Sequence, residues 1–181
     1  MARSALPVTW HWRRIIDFIF PPHCGGCQTL GSWWCDACQA SVRGVTPPTC
    51  AQCGRPSVPS GLCADCRASP LTIESIRSMA LFDGRLRQAI HTFKYRRVAA
   101  LADPLGDALA RFWLQSPVLA DVIVPVPLHP DRQRERGYNQ AALLAHRLGR
   151  AAGLPVRPNA LRRVRATAAQ MLLNAPDRKA N

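Results

Sequence analysis

The eight cysteines of this chain are spaced as ligands for metal ions. They form four Cys-x-x-Cys pairs, and no cysteine follows the last pair. Two cysteines three residues apart on a tight turn can direct both thiolates at one ion, and a second such turn completes a tetrahedron around zinc. We therefore predict two zinc sites, each held by four sulfurs. The predicted ligands are Cys24, Cys27, Cys35, Cys38, Cys50, Cys53, Cys63 and Cys66.

Two ways of pairing these motifs are open. Neighbouring motifs can share an ion, which groups residues 24–38 and 50–66, or the motifs can interleave. A segment this short cannot bury a sufficient core alone, so we expect the metal to supply much of its folding energy. A disulfide framework is the alternative, and the sequence shows no secretory signal to favour it. Four sulfurs leave no position for water, so we expect no zinc catalysis.

The chain is strongly basic, with 24 Lys and Arg against 11 Asp and Glu and a formal charge of +13. Residues 1–80 contain 7 basic and 4 acidic side chains, whereas residues 81–181 contain 17 and 7. So basic a domain attracts polyanions, whether nucleic acid, anionic lipid or a phosphorylated small molecule. The alternative is a general preference for arginine that involves no ligand.

Residues 1–22 are predicted to form an amphipathic helix. The best apolar run, residues 15–20, is interrupted by Asp17 and is too short to span a bilayer. Two prolines follow it and end the helix. The tryptophans and arginines of this segment suit a membrane surface, although we favour packing on the protein's own core.

The rest of the chain has the pattern of an α/β domain. Residues 73–84 suit a strand and a turn, and an apolar stripe over residues 86–93 has helical spacing. The run DVIVPVPL, residues 121–128, shows no alternation, as in a strand buried on both faces of a parallel sheet. Helical spacing returns over residues 138–152. The order of strand, loop and helix is typical of α/β folds.

The loop that follows residues 121–128 is the predicted ligand site. Ligands of α/β sheets bind beyond the carboxyl ends of the strands. Prolines stiffen this loop, a glycine permits an unusual backbone shape, and guanidinium groups suit phosphate oxygens. A solvated basic turn without a ligand is the alternative. The candidate ligand-binding residues are Pro125, Val126, Pro127, Leu128, Arg136, Gly137, Asn139 and Gln140.

Two short basic segments are candidates for contacts with nucleic acid. The segment FKYRR, residues 93–97, interleaves cations with aromatic rings, which suits single-stranded nucleic acid. Cations in the last turn of a helix also complement its dipole without any ligand. The candidate nucleic-acid-binding residues are Lys94, Arg96, Arg97, Arg132 and Arg134.

Four features follow one another between about residue 20 and residue 181: the four cysteine pairs, FKYRR, VPVPLHPDRQRERGYNQ and LRRVRATAAQ. In this order they strongly resemble the ComF family. That family joins a double zinc ribbon to a phosphoribosyltransferase-like domain and is linked to DNA uptake in natural transformation. The resemblance implies a type I phosphoribosyltransferase fold, with residues 125–128 at the position of the pyrophosphate loop. The segment that resembles the mobile hood contains Arg163, Arg165, Thr167 and Gln170.

The resemblance also implies cofactors, partners and a location. It implies zinc in the ribbons and phosphoribosyl pyrophosphate with magnesium in the second domain, with transferase activity left open. The implied partners are single-stranded DNA and proteins of the DNA-uptake machinery or helicases. The implied location is the cytoplasm, with a peripheral position at the inner membrane as a further option.

The resemblance fails at the acidic–threonine turn of the family, which grips the ribose and the 5-phosphate and has no counterpart here. We therefore expect a C-terminally truncated member with a partial parallel sheet, weak or absent ligand binding and no activity. The alternative function is a non-enzymatic zinc-ribbon protein that binds single-stranded DNA or docks a partner. The predicted organisation is a helix over residues 1–22, a double zinc ribbon over 23–68 and a phosphoribosyltransferase-like α/β domain over 69–181.

Overall fold

A computed structural model of the chain describes residues 21–56 and 61–167, together with Asn174 and Asp177. The chain divides into two compact units, residues 1–91 and residues 92–181. The predicted N-terminal helix lies outside the described residues, apart from its two final prolines. The domain limits derived from the sequence stay a prediction.

Short helices that begin directly after a cysteine characterise the first unit. Helix α1, Asp36–Ala40, begins after Cys35, and helix α2, Ala64–Ala68, begins after Cys63. Among the described residues of this unit, antiparallel pairing is limited to isolated bridges. The bridges join His23 to Leu30, Gly44 to Ala80 and Thr49 to Pro56.

Helix α3, Gly84–Tyr95, contains the boundary between the two units. It buries Leu86, Ala89 and Phe93, which lie three and four residues apart along one side. The helix predicted from this spacing is therefore confirmed. The strand predicted over residues 73–84 is reduced, among the described residues, to the single bridge at Ala80.

The second unit contains a 3-10 turn, Ala99–Leu101, and helix α4, Ala102–Gln115. Two further helices follow: α5, Pro130–Arg136, and α6, Gln140–Ala152. Helices α4 and α6 pack so closely that a Cβ atom on Gly106 would lie 2.7 Å from Cγ of Arg147. Arg147 also donates two hydrogen bonds to the carboxylate of Asp107, at 2.6 and 2.9 Å. This bidentate pair fixes the register of the two helices.

Helix α5 corrects the prediction of a loop after residue 128. Pro130 occupies the first turn, where its missing N–H costs nothing, and Nδ1 of His129 accepts a hydrogen bond from the N–H of Asp131. Asp131 lies in the first turn and Arg136 in the last, as the helix dipole favours. Gly137, with φ of 82°, ends the helix in the left-handed conformation.

Parallel pairing in the second unit is limited to one bridge among the residues that the structure describes. Ile123 pairs with Val156: the Ile123 N–H donates to the carbonyl of Pro155 at 2.9 Å, and the Arg157 N–H donates to the carbonyl of Ile123 at 3.0 Å. A Cβ on Gly149 would lie 2.6 Å from Cγ2 of Val156, so this segment packs directly on α6. The parallel sheet of a phosphoribosyltransferase-like domain stays a proposal.

Candidate metal centres and basic surface

The first four cysteines form a cluster whose sulfur atoms all lie within 4.8 Å of one another. Cys24 and Cys38 are buried, and Cys27 and Cys35 are half-buried. The N–H of Cys35 points at Sγ of Cys24 at 3.4 Å. The cluster therefore presents four sulfurs and a supporting amide donor around one point, which is the ligand set of a structural zinc site.

The second cluster repeats this arrangement with the last four cysteines, whose sulfurs also lie within 4.8 Å of one another. The N–H of Cys63 points at Sγ of Cys50 at 3.3 Å, as the equivalent amide does in the first cluster. Cys66 is buried and Cys53 is half-buried. Both clusters are consistent with zinc binding, and they group neighbouring motifs rather than interleaved ones.

Glycine is required at one cysteine turn of each cluster, since Gly26 lies between Cys24 and Cys27 and Gly54 directly follows Cys53. A Cβ atom on Gly26 would lie 2.8 Å from Trp34 and 2.9 Å from Sγ of Cys38. A Cβ atom on Gly54 would lie 2.4 Å from the carbonyl oxygen of Ile76, and its φ of 67° is left-handed. Any other side chain at these positions would push the turn away from its neighbours.

The thiols of each cluster differ in acidity. The hydroxyl and amide of Thr29 lower the pKa of Cys27 to about 6. The amides of Cys53 and Cys63 lower the pKa of Cys50 to about 6, whereas burial raises the pKa of Cys66 to about 12. Each cluster therefore offers a thiolate at neutral pH, and binding of an ion must displace protons from the remaining thiols.

Two segments predicted separately to contact nucleic acid lie side by side in the second unit. Nε of Arg97 donates to the carbonyl of Glu135 at 2.8 Å. The guanidinium group of Arg136 lies 5.1 Å from the centre of the Tyr95 ring. These contacts join the end of α3 to α5, and we call residues 94–97 and 130–136 the basic surface.

Two of the cations of α5 have acidic partners on the same helix. Arg134 pairs with Asp131, and Arg132 lies 3.3 Å from Glu135. These pairs are exposed and contribute little to stability, so a polyanion can compete for the cations. Lys94 has no acidic partner among the described side chains; partial burial and then the nearby charge of Arg136 lower its pKa.

The predicted ligand residues nearest α6 make hydrogen bonds that support the fold. The side-chain amide of Asn139 donates to the carbonyl of Val126 at 3.1 Å, and its oxygen accepts from the N–H of Ala141 at 3.0 Å. Asn139 is therefore the N-cap of α6 and ties it to the predicted ligand segment. Pro125 is buried, whereas Val126 is 68% exposed.

Gln140 has the most unusual environment of these residues. It is only 6% exposed, and its Oε1 accepts a hydrogen bond from Arg136 at 3.1 Å. Its Nε2 is buried with no partner among the described residues. An unpaired buried donor is unfavourable, so an acceptor at this position would be stabilising.

The predicted hood residues are only partly described. Arg165 is exposed, and Arg163 donates to the hydroxyl of Thr167. Gln170 lies outside the described residues. Their roles toward a ligand stay predictions.

The sequence analysis missed Tyr138 as an organising residue. Its hydroxyl donates to the carbonyl of Phe93 at 2.6 Å, and the two rings lie 5.5 Å apart. The contact fixes the end of α3 against the chain that follows α5. An aromatic residue directly after the helix-ending Gly137 was the available signal.

Comparison with known proteins places these features in a family. The double zinc ribbon domain family matches residues 15–67. The DNA utilization protein YhgH of Salmonella typhimurium is 34% identical, over 89% of this chain and 75% of its own length. Competence protein F of Haemophilus influenzae is 30% identical, over 88% of this chain and 72% of its own length. No solved structure matches the chain significantly.

The two clusters and the matched residues define a double zinc ribbon protein. The chain belongs to the ComF family, as its residue pattern predicts. Competence protein ComFC of Bacillus subtilis is also 30% identical, over 67% of this chain, and the chain spans 54% of the length of that relative. Helices long and apolar enough to cross a bilayer are absent from the described part of the chain.

Proposed function

We propose that this chain binds single-stranded DNA through the basic surface and acts in DNA uptake or use. The observation that carries the proposal is the meeting of α5 with the end of α3, which joins two cationic segments through the contacts of Arg97 and Arg136. The relatives named for competence and for DNA utilization support the same setting.

The basic surface has the chemistry that single strands require. Its cations can neutralise backbone phosphates, which supplies most of the affinity of non-specific binding. Tyr95 is 48% exposed, with Arg136 over its ring, so base stacking on an aromatic face is available beside the cations. A duplex keeps its bases stacked internally and cannot use this ring.

In this proposal the ribbons hold two structural zinc ions, and their role is to brace the fold. Each ion would be fully coordinated by four sulfurs, which leaves no open position for a reactant. A full ribbon can also dock proteins of the uptake machinery or a helicase. The proposed setting is the cytoplasm, where incoming single strands are processed.

Salt should weaken the proposed DNA complex steeply. Six cations on the basic surface would give a slope of about −4 for log affinity against log salt, at about 0.7 per phosphate contact. Affinity is therefore expected to fall by roughly two orders of magnitude between 50 and 200 mM salt. Fluorescence anisotropy with zinc-loaded chain and a labelled oligodeoxythymidine measures this slope, with a duplex of equal length as the control. Binding that ignores salt, or no binding at low salt, contradicts the proposal.

A second candidate function is the binding of phosphoribosyl pyrophosphate with magnesium near residues 125–140. The specific observation is the unpaired Nε2 of Gln140, which lies beside the guanidinium group of Arg136. A phosphate oxygen there would accept from both donors. The ligand itself comes from the resemblance of residues 125–128 to the pyrophosphate loop of phosphoribosyltransferases.

Weak binding of this ligand is expected, with a dissociation constant of about 1 mM, an affinity of about 4 kcal/mol. Titration with phosphoribosyl pyrophosphate and magnesium, followed by nitrogen-15 NMR, should shift the amides of Gly137 to Ala141. Gln140→Leu removes the unpaired donor together with the acceptor of Arg136, whose half-buried side chain can be hydrated instead, so the variant should keep the fold and lose these shifts. Equal shifts in Gln140→Leu and the unchanged chain would refute this candidate site.

A further inference from the structure

A cavity of about 380 Å³ lies in the first unit, apart from the residues of the basic surface. It opens between the chain that follows α1 and the beginning of α3. Its volume lies at the small end of the range for small-molecule sites. The cavity is lined by Ser41, Arg43, Asp83, Gly84, Arg85 and Gln88.

Backbone hydrogen bonds hold the two walls of the cavity together. The N–H of Leu81 donates to the carbonyl of Arg43 at 2.9 Å, and the N–H of Val45 donates to the carbonyl of Met79 at 3.3 Å. The antiparallel bridge of Gly44 with Ala80 lies between these bonds. The spacing of the walls is therefore built into the backbone.

Arg85 is positioned by the first cysteine turn. A Cβ atom on Gly26 would lie only 3.2 Å from Cβ of Arg85, so the arginine stem packs directly against this glycine. Its Nη1 lies 3.5 Å from the carbonyl of Gly26 and 3.3 Å from Oε1 of Gln88. Both distances are at the long end of the hydrogen-bond range, so a better acceptor can replace either partner.

Arg43 lies on the opposite wall and pairs with the carboxylate of Asp83. The pair is exposed, with 67% of the Arg43 side chain accessible, and such pairs are weak. An anion with more than one acceptor can therefore draw Arg43 away from Asp83. The lining side chains alone, two guanidinium groups against one carboxylate, carry a net charge of about +1, whereas a zinc ion with the four thiolates beside Gly26 would carry −2. Direct contacts with the guanidinium groups, rather than the net field, must therefore hold an anion here.

We infer that this cavity binds a phosphate group through Arg43 and Arg85. Guanidinium groups match the oxygens of phosphate in bidentate geometry, and the side-chain amide of Gln88 supplies a further donor, whereas the hydroxyl of Ser41 already donates to the carbonyl of Cys38 at 2.8 Å. The volume exceeds that of a lone phosphate, so an attached sugar can also enter. The phosphate comes either from a free ion or nucleotide, or from the backbone of bound DNA. Only this DNA source rests on the proposed function.

Nitrogen-15 NMR of the zinc-loaded full chain tests the inference, with inorganic phosphate and an oligodeoxythymidine without terminal phosphates as separate probes. We expect the amides of residues 41–43 and 83–88 to shift with phosphate. Arg43→Gln or Arg85→Gln should weaken the binding by about tenfold, as for the loss of a charged hydrogen bond. Asp83→Asn should tighten it several-fold. Arg67→Gln, on α2, makes the same charge change outside the cavity and should leave it unaltered.

The outcomes separate the source of the phosphate and the status of the two proposals. Shifts with phosphate that Arg85→Gln reduces support a site for free phosphate. Shifts only with the oligonucleotide, reduced in the same way, support a DNA backbone site. Shifts with neither probe, or shifts that Arg43→Gln, Arg85→Gln and Arg67→Gln reduce equally, overturn the inference. If the amides around the cavity do not shift with either probe while the basic surface still binds DNA, this site is refuted and the proposed function stands.

Discussion

Serine in place of Cys50 is expected to remove one of two bound zinc ions and to unfold the second ribbon. Cys50 is 2% exposed, and its sulfur accepts a hydrogen bond from the N–H of Cys63. Zinc contributes about 10–16 kcal/mol to the folding of small zinc-finger peptides. The few apolar residues around this cluster cannot replace that contribution.

Zinc content and hydrogen exchange measure the result. Bound zinc should fall from two ions to one per chain, and exchange should accelerate at the amide of Gly54, which donates to the carbonyl of Cys50 at 3.0 Å. Cys24→Ser should affect the first ribbon in the same way. Ser78→Ala, an exposed change outside both clusters, should retain both ions. Two ions and full protection in Cys50→Ser would refute the four-sulfur site.

Replacing Arg97 and Arg136 together by glutamine is expected to weaken binding of single-stranded DNA by about 30-fold at low salt. Each lost phosphate contact should also reduce the salt slope by about 0.7, so the slope should change from about −4 to about −2.6. Arg136 additionally loses its position over the Tyr95 ring, which removes support for base stacking. Anisotropy titrations at several salt concentrations measure both quantities.

Matched variants separate charge from folding in this experiment. Arg150→Gln with Arg157→Gln makes the same charge change outside the basic surface and should have a much smaller effect. Lysine at positions 97 and 136 keeps the charge and should keep most of the salt dependence of the unchanged chain. It loses the hydrogen bond from Nε of Arg97 to the carbonyl of Glu135. An equal loss of affinity in the glutamine pair and the control pair would show that only the net charge matters.

The structure has helix α5 where a loop was predicted, and the sequence contains signals for this helix. Pro130 near the start, Asp131 in the first turn and Gly137 after the end form an ordinary set of helix boundaries. The arginines of the same segment also suit a ligand loop, because guanidinium groups match phosphate oxygens. The structure shows that two of them, Arg132 and Arg134, already have carboxylate partners on the helix, which changes how a phosphate must compete for them.

Residues 137–140 show a second limit of prediction from the sequence. Gly137 and Asn139 were predicted to contact a ligand, and in the structure they end α5 and begin α6. Polar residues and glycine are favoured both at helix boundaries and at ligand loops, so residue type alone does not separate the two roles. The buried, unpaired amide of Gln140 became visible only when its neighbours were placed.

The spacing of the cysteines was sufficient to predict two four-sulfur sites, because each ligand pair lies within one turn and depends on local geometry. Helices α3 and α6 followed in the same way from apolar periodicity. The basic surface and the proposed phosphate site depend on residues some forty positions apart, such as Arg97 with Glu135 and Arg43 with Asp83. Such contacts depend on how the elements pack, and no local pattern in the chain encodes which distant partners will meet.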